Sequence, residues 1–247
     1  MNKFLFLTAV FTYISLGNLI AQEVVPVNQF NKVIVSPHVK ATFTAGDKES
    51  VTIQNCTVSR DKVNIELNGK TLRVYLVGAK EVTKNEKGYE EGNGKKKSLY
   101  QGTVLTVAIT YKTLEALSVR GEETILLKSK LDQEDFDLNI YGESNVYFDN
   151  VQLKKMHTTI YGESTLELKS GNVTEQKFTS YGESKINTLG TTNRITRATL
   201  YGESELNLNT SDQINVTSFG ESKVGYKGDP IIKKGISIGK VKIYKIN

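Results

Sequence analysis

The chain has one cysteine, three prolines, two histidines and no tryptophan in 247 residues. A lone cysteine excludes an internal disulfide. Stability must therefore come from packing and from hydrogen bonds between strands. Cys56 lies in a strand-like run, 51–58, and reads as a small buried side chain rather than a reactive thiol. His38 and His157 stand far apart, neither at metal-ligand spacing, and both read as ordinary surface or edge histidines. No Asp-rich loop offers the oxygens that calcium needs. No residue is thus assigned to catalysis, a cofactor or a metal. Helical periodicity is missing from everything after residue 21, and no later apolar run is long enough to span a membrane.

The first 21 residues are the exception. Lys3 precedes a mostly apolar stretch, Phe4 to Ile20, with Ala21 before an expected cut at Gln22. This layout predicts a signal peptide, and no cysteine follows it for lipid attachment. The predicted location is the periplasm, the outer-membrane surface or the extracellular space. The formal charge of +5 falls to +4 once Lys3 leaves with the leader. Bases and acids are interleaved rather than gathered on one face, which argues against a nucleic-acid partner. The only basic run, Lys95-Lys96-Lys97, sits in a hydrophilic stretch, 80–97, that reads as a mobile loop.

What the sequence does have is a repeat. Tyr-Gly-Glu-Ser begins at Tyr141, Tyr161, Tyr181 and Tyr201, and Phe-Gly-Glu-Ser begins at Phe219. A worn copy, Arg-Gly-Glu-Glu, begins at Arg120, and Ile238-Gly239 is a candidate start of another. A fixed period near 20 residues marks a solenoid, in which each coil stacks on the next. The predicted fold is all-β: a parallel β-helix-like solenoid over 119–247, preceded by an irregular all-β region over 22–118. In that first region, 63–67 and 72–77 read as a hairpin about Asn68-Gly69.

Period-2 alternation assigns faces within each coil. Phe136, Leu138, Ile140, Gly142, Ser144, Val146 and Phe148 share the inward parity, and the four later copies agree. Three columns follow. The glycines fall where the strand must bend, and the serines can form a ladder of hydroxyls at the corner. Glu143, Glu163, Glu183, Glu203 and Glu221 form an outward column. Stacked about 4.8 Å apart, two carboxylates repel by roughly 0.9 kcal/mol even in water. They must splay, pair with bases or attract cations. Tyr141, Tyr161, Tyr181, Tyr201 and Phe219 form an aromatic column with Arg120 at the same phase. Phe219 shows that the ring matters more than the hydroxyl. Two readings of this column stay open: stacking that ties coils together, and a row of rings that holds a ligand.

The order Phe30…Val33-Ile-Val35, Val51-Thr-Ile53, Leu72-Arg-Val74, Val107-Ala-Ile-Thr-Tyr111, Leu117-Ser-Val-Arg-Gly121 and then five Gly-x-Ser rungs resembles the GIN domain, the family named for auto-transporter adhesin heads. The likeness covers residues 28 to 228. Two departures stand out: Glu fills the middle of every Gly-x-Ser, and Glu123 replaces the serine after Gly121. The resemblance implies a right-handed β-helix-like fold at the cell envelope and brings no catalytic residues.

The reading is therefore a non-catalytic exported envelope or surface protein, binding an unknown glycan or an envelope or surface protein through its repetitive face. The candidate contact row is Tyr141, Tyr161, Tyr181, Tyr201 and Phe219 with Glu143, Glu163, Glu183 and Glu203. Two alternatives are a structural spacer and a polysaccharide-cleaving β-helix enzyme. An enzyme requires a unique convergent cluster, and here the acids recur symmetrically instead.

Overall fold

The computed structural model describes residues 22–91 and 95–247; the expected leader, residues 1–21, lies outside them. The described chain is nearly all strand, with one 3-10 turn at Arg60–Lys62. The strands are β1 (Glu23–Pro26), β2 (Lys32–Val35), β3 (Val39–Ala45), β4 (Ser50–Cys56), β5 (Val63–Asn68), β6 (Thr71–Leu76), β7 (Asn85–Glu91), β8 (Lys95–Ser98), β9 (Leu105–Tyr111), β10 (Ala116–Gly121), β11 (Thr124–Leu127), β12 (Leu131–Gly142), β13 (Asn145–Phe148), β14 (Val151–Tyr161), β15 (Thr165–Leu168), β16 (Gly171–Tyr181), β17 (Ser184–Asn187), β18 (Thr191–Tyr201), β19 (Ser204–Lys227) and β20 (Ile231–Lys245).

In the first four regular coils one strand runs up to the motif corner and a second leaves it, while β19 and β20 run through their own corners unbroken. Successive coils pair in parallel and in register. Tyr141 pairs with Tyr161, Tyr161 with Tyr181, Tyr181 with Tyr201, and Tyr201 with Phe219. The candidate last copy is real: Phe219 pairs with Ile238 and Gly220 with Gly239. Inward side chains form one continuous core. Phe136 and Phe148 meet edge to face at 5.7 Å within it, and Ile140, Ile160 and Leu200 are fully buried. Toward the C-terminal end the interior turns polar. Gln176 Nε2 donates to Thr196 Oγ1 (2.9 Å), Thr196 Oγ1 donates to Asn193 Oδ1 (2.8 Å), and Thr210 Oγ1 donates to the same oxygen (2.9 Å). All four residues are buried, and these hydrogen bonds offset much of the cost of removing the groups from water, with Gln176 Oε1 left without a partner.

The solenoid starts before residue 119, where the repeat becomes visible in the sequence. β10 pairs in parallel with β2, which pairs in parallel with β6, while β11 pairs with β3 and β3 with β9. Two earlier coils thus precede the regular ones, stacked in an order that differs from chain order: β6 with β9, then β2 with β3, then β10 with β11. The hairpin about Asn68-Gly69 forms as expected between β5 and β6. Antiparallel β4, β1 and β5 close this end of the stack. Residues 77–104 leave the stack between β6 and β9. The stretch expected as a mobile loop carries an antiparallel hairpin there, β7 with β8, whose residues 92–94 lie outside the described ones.

Candidate functional site: regular corners and one broken corner

At each regular corner the glycine has two reasons to be glycine. Gly162 has φ 115°, and a Cβ there would sit 2.3 Å from the Gly142 carbonyl oxygen of the coil below. A side chain would meet both backbone strain and a clash with main chain. The serine two residues on points inward. Ser164 Oγ donates to the Gly142 carbonyl (2.9 Å), and Ser144 Oγ donates to the Gly121 carbonyl (2.9 Å). The ladder joins one coil to the next, as its spacing predicts.

The aromatic column is a stack. Ring centroids lie 5.3, 4.7, 4.7 and 5.0 Å apart from Tyr141 to Phe219, and no pair of planes differs by more than 7°. Arg120 closes the column, its guanidinium 5.0 Å from the Tyr141 ring. Strand spacing imposes the repeat, and the offset geometry makes it attractive. The ring faces are spent on one another. What solvent sees is ring edges and hydroxyls, with Tyr161 42% exposed and Tyr201 36% exposed.

The glutamate column borders a longitudinal groove of about 750 Å³ over the later corners. Its floor is Ser164, Ser184, Ser204 and Ser222; one wall is Glu163, Glu183, Glu203 and Glu221; Lys185, Glu205, Lys223 and Lys242 stand opposite. Lys240 pairs with Glu221 at 3.6 Å. Glu143, Glu163, Glu183 and Glu203 have no cationic partner among the described residues. Of the sequence-derived contact row, the groove thus gathers Glu163, Glu183 and Glu203. Glu143 and the rings lie outside its lining.

A second concavity, also about 750 Å³, was missed from the sequence. It lies where residues 77–104 leave the stack and where the Tyr and Ser columns change to Arg120 and Glu123. Continuing the β2–β10 register puts Ser36, Pro37, His38 and Val39 beside Arg120, Gly121, Glu122 and Glu123. His38 is the one non-glycine with positive φ among the described residues, at 68°. Its Nδ1 donates to the Gly102 carbonyl at 2.7 Å, since a carbonyl can only accept, and Nε2 then accepts from Thr83 Oγ1, also at 2.7 Å. His38 is therefore no ordinary surface histidine, because it holds both ends of the excursion; His157 is exposed, 3.4 Å from Asp137. Glu123 occupies the serine position, only 7% exposed. Burial raises its carboxyl above the usual range, against the Glu122 amide it accepts from and His38 at 3.9 Å. Glu81 behaves oppositely: hydrogen bonding from Arg73, with Arg120 beside it, holds its carboxyl below the usual range. The sequence signal was Arg120-Gly-Glu-Glu, the worn copy, whose substitutions are the ones that bring chemistry.

Residues 29–230 match one family model, described as "Putative auto-transporter adhesin, head GIN domain". The chain belongs to this family. Among solved structures, this GIN-domain chain is similar to a "putative adhesin" from Bacteroides fragilis NCTC 9343, with 20% identity, TM-score 0.71, and coverage of 91% of this chain and 96% of that one. A "putative adhesin" from Parabacteroides merdae ATCC 43184 has 17% identity, TM-score 0.66 and coverage of 92% and 96%. A "putative lipid binding protein" from Parabacteroides distasonis ATCC 8503 has 18% identity, TM-score 0.65 and coverage of 92% and 96%. At these identities the likeness concerns the fold. No curated protein matches the chain.

Proposed function

We propose that the protein is an exported, non-catalytic adhesion module of the cell envelope that holds a glycan or protein along the groove over its regular corners. The observation that carries this reading is the groove itself. It repeats one chemistry, a carboxylate beside a buried serine, coil after coil along about 750 Å³. A repeated wall suits an extended, multivalent partner, because several weak contacts add along one ligand. Family membership and the fold support surface adhesion. Glutamates and lysines both line the groove, which suits a neutral polar partner that can hydrogen-bond both. The tyrosine hydroxyls and ring edges lie on the flank of the same corners and extend the contact surface. No helix among the described residues is long and apolar enough to cross a membrane.

A glycan array, together with a binding screen against isolated envelope proteins, tests the proposal. The wild-type chain from Gln22 onward is compared with a Glu163→Ala, Glu183→Ala, Glu203→Ala variant. Binding of a neutral ligand that drops at least tenfold in the variant, at unchanged melting temperature, supports the groove. Equal binding by both proteins overturns it. Silence on every surface favours the spacer reading, in which stacked rings serve only to tie coils together.

A further inference from the structure

We propose that the pocket at the broken corner is a binding site for a neutral sugar, the terminal residue of a glycan; the polymer part of this statement rests on the adhesion reading above. A volume of about 750 Å³ suits a small ligand. At every regular corner the Tyr, Gly and Ser positions are structural: they stack, turn the chain or bond the next coil. Here two of the four motif positions change at 120–123, while Gly121 and Glu122 are kept, and none of the motif residues is in its place in the neighbouring coil at 36–39. Arg120 stands for Tyr, Glu123 for Ser, Pro37 for Gly, and His38 carries a positive φ of 68°, a strained conformation for a residue with a side chain. Such strain persists only where the surroundings enforce it, and His38 is held on both ring nitrogens by residues 83 and 102. His38 is thus a positioning residue: it fixes the wall of the pocket and has no ring nitrogen left for a ligand.

The ligand class follows from the charges. Arg120 is already shared with Glu81. Glu81, Glu122 and Glu123 line the pocket with it. An anion drawn to Arg120 meets three carboxyl groups, and a cation drawn to those meets a guanidinium. A hydroxyl group donates and accepts, so a polyol satisfies both kinds of group at once. The carboxyl of Glu123, raised by its burial, is suited to either role in such a bond. Pro37, Val82 and Tyr100 line the same pocket and supply apolar surface for the C–H face of a sugar ring. The pocket also adjoins Tyr141, the first ring of the column, so a chain lying along the corners would end there.

Saturation-transfer NMR and calorimetry on the chain from Gln22 test this, using methyl glycosides of glucose, galactose, mannose and N-acetylglucosamine, with glucuronate and glucosamine as charged comparators. At least one neutral glycoside should bind with a millimolar Kd, as expected for a few hydrogen bonds and one apolar face. Glu122→Gln, at an exposed site, and Glu123→Leu should each weaken it at least tenfold. The alanine variant of Glu163, Glu183 and Glu203 should leave it unchanged, so the groove and the pocket can fail separately. No neutral glycoside binding, equal binding of the charged sugars, or binding that survives both pocket variants would overturn the assignment.

Discussion

The regular corners and the broken corner are built on the same backbone path, yet they use it for opposite ends. At a regular corner, chemistry is subordinate to stacking. Tyr rings face one another, serine hydroxyls are taken up by carbonyls or by other serines, and glycine removes the side chain that would clash. At the broken corner, stacking is given up. Glu123 is buried with a raised carboxyl, Arg120 shares Glu81 with Arg73, and His38 reaches across to the excursion. The difference teaches where a repeat protein can hold a unique site. Mutating a column member alters one of several equivalent contacts; mutating the broken corner removes something that occurs once.

The largest effect should come from putting a side chain into the glycine column. Gly162→Ala combines a φ of 115° with a backbone contact of 2.3 Å. It should cost about 3 kcal/mol or more by chemical denaturation. A loss below 1 kcal/mol would show that the corners are looser than their geometry. Next comes Tyr181→Ala, which breaks two ring stacks, to Tyr161 and Tyr201. At roughly 0.5–1.5 kcal/mol per pair beyond lost area, it should destabilise by about 2 kcal/mol. An unchanged melt would end the stacking account of the regular corners.

The broken corner should respond to pH instead. Glu123 has its folded carboxyl raised by burial, so its protonated form suits the fold better than its ionised form. Its contribution is present in full below the ordinary carboxylate range and is lost as pH rises through the raised folded value. Glu123→Gln removes this titration. The variant should gain in melting temperature relative to wild type at pH 7, and the gain should shrink toward zero as pH falls to about 4.5, near the unfolded carboxylate value. A gap of constant size, or one that grows in acid, contradicts the burial assigned to Glu123. The smallest effect belongs to Glu163→Ala, which removes one member of an unpaired row. It should be neutral within about 0.5 kcal/mol, tending to stabilise at low salt.

Legibility in the sequence followed the same division. The regular coils were readable because a local pattern specifies them: alternation gave the parity of Ile140 and Ile160, and the period gave the pairing of Tyr161 with Tyr181. Ile238-Gly239 was readable from spacing alone. The two earlier coils were not. β2 pairs with β6 and β10, strands about 40 and 80 residues away, and nothing local in Lys32–Val35 announces that it lies between them. The pocket was hidden for the same reason, since residues 36–38, 81–83, 100–102 and 120–123 meet only through that rearranged order. The one local trace was the departure at Arg120-Gly-Glu-Glu, visible as a fault in the repeat before its purpose could be seen.

A chain of near-identical coils faces a hazard that most folds do not: it can lose count. Skipping one coil would carry Tyr onto Tyr, Gly onto Gly and Ser onto Ser, so the columns alone barely penalise it. The polar interior of the later coils does. Gln176, Asn193, Thr196 and Thr210 interlock with one another and occur in no other coil. A chain that miscounts buries these groups opposite partners that cannot answer them, at about 1–3 kcal/mol for each one left unsatisfied. Those few hydrogen bonds act as a serial number inside the solenoid, marking which coil is which where the surface repeat cannot.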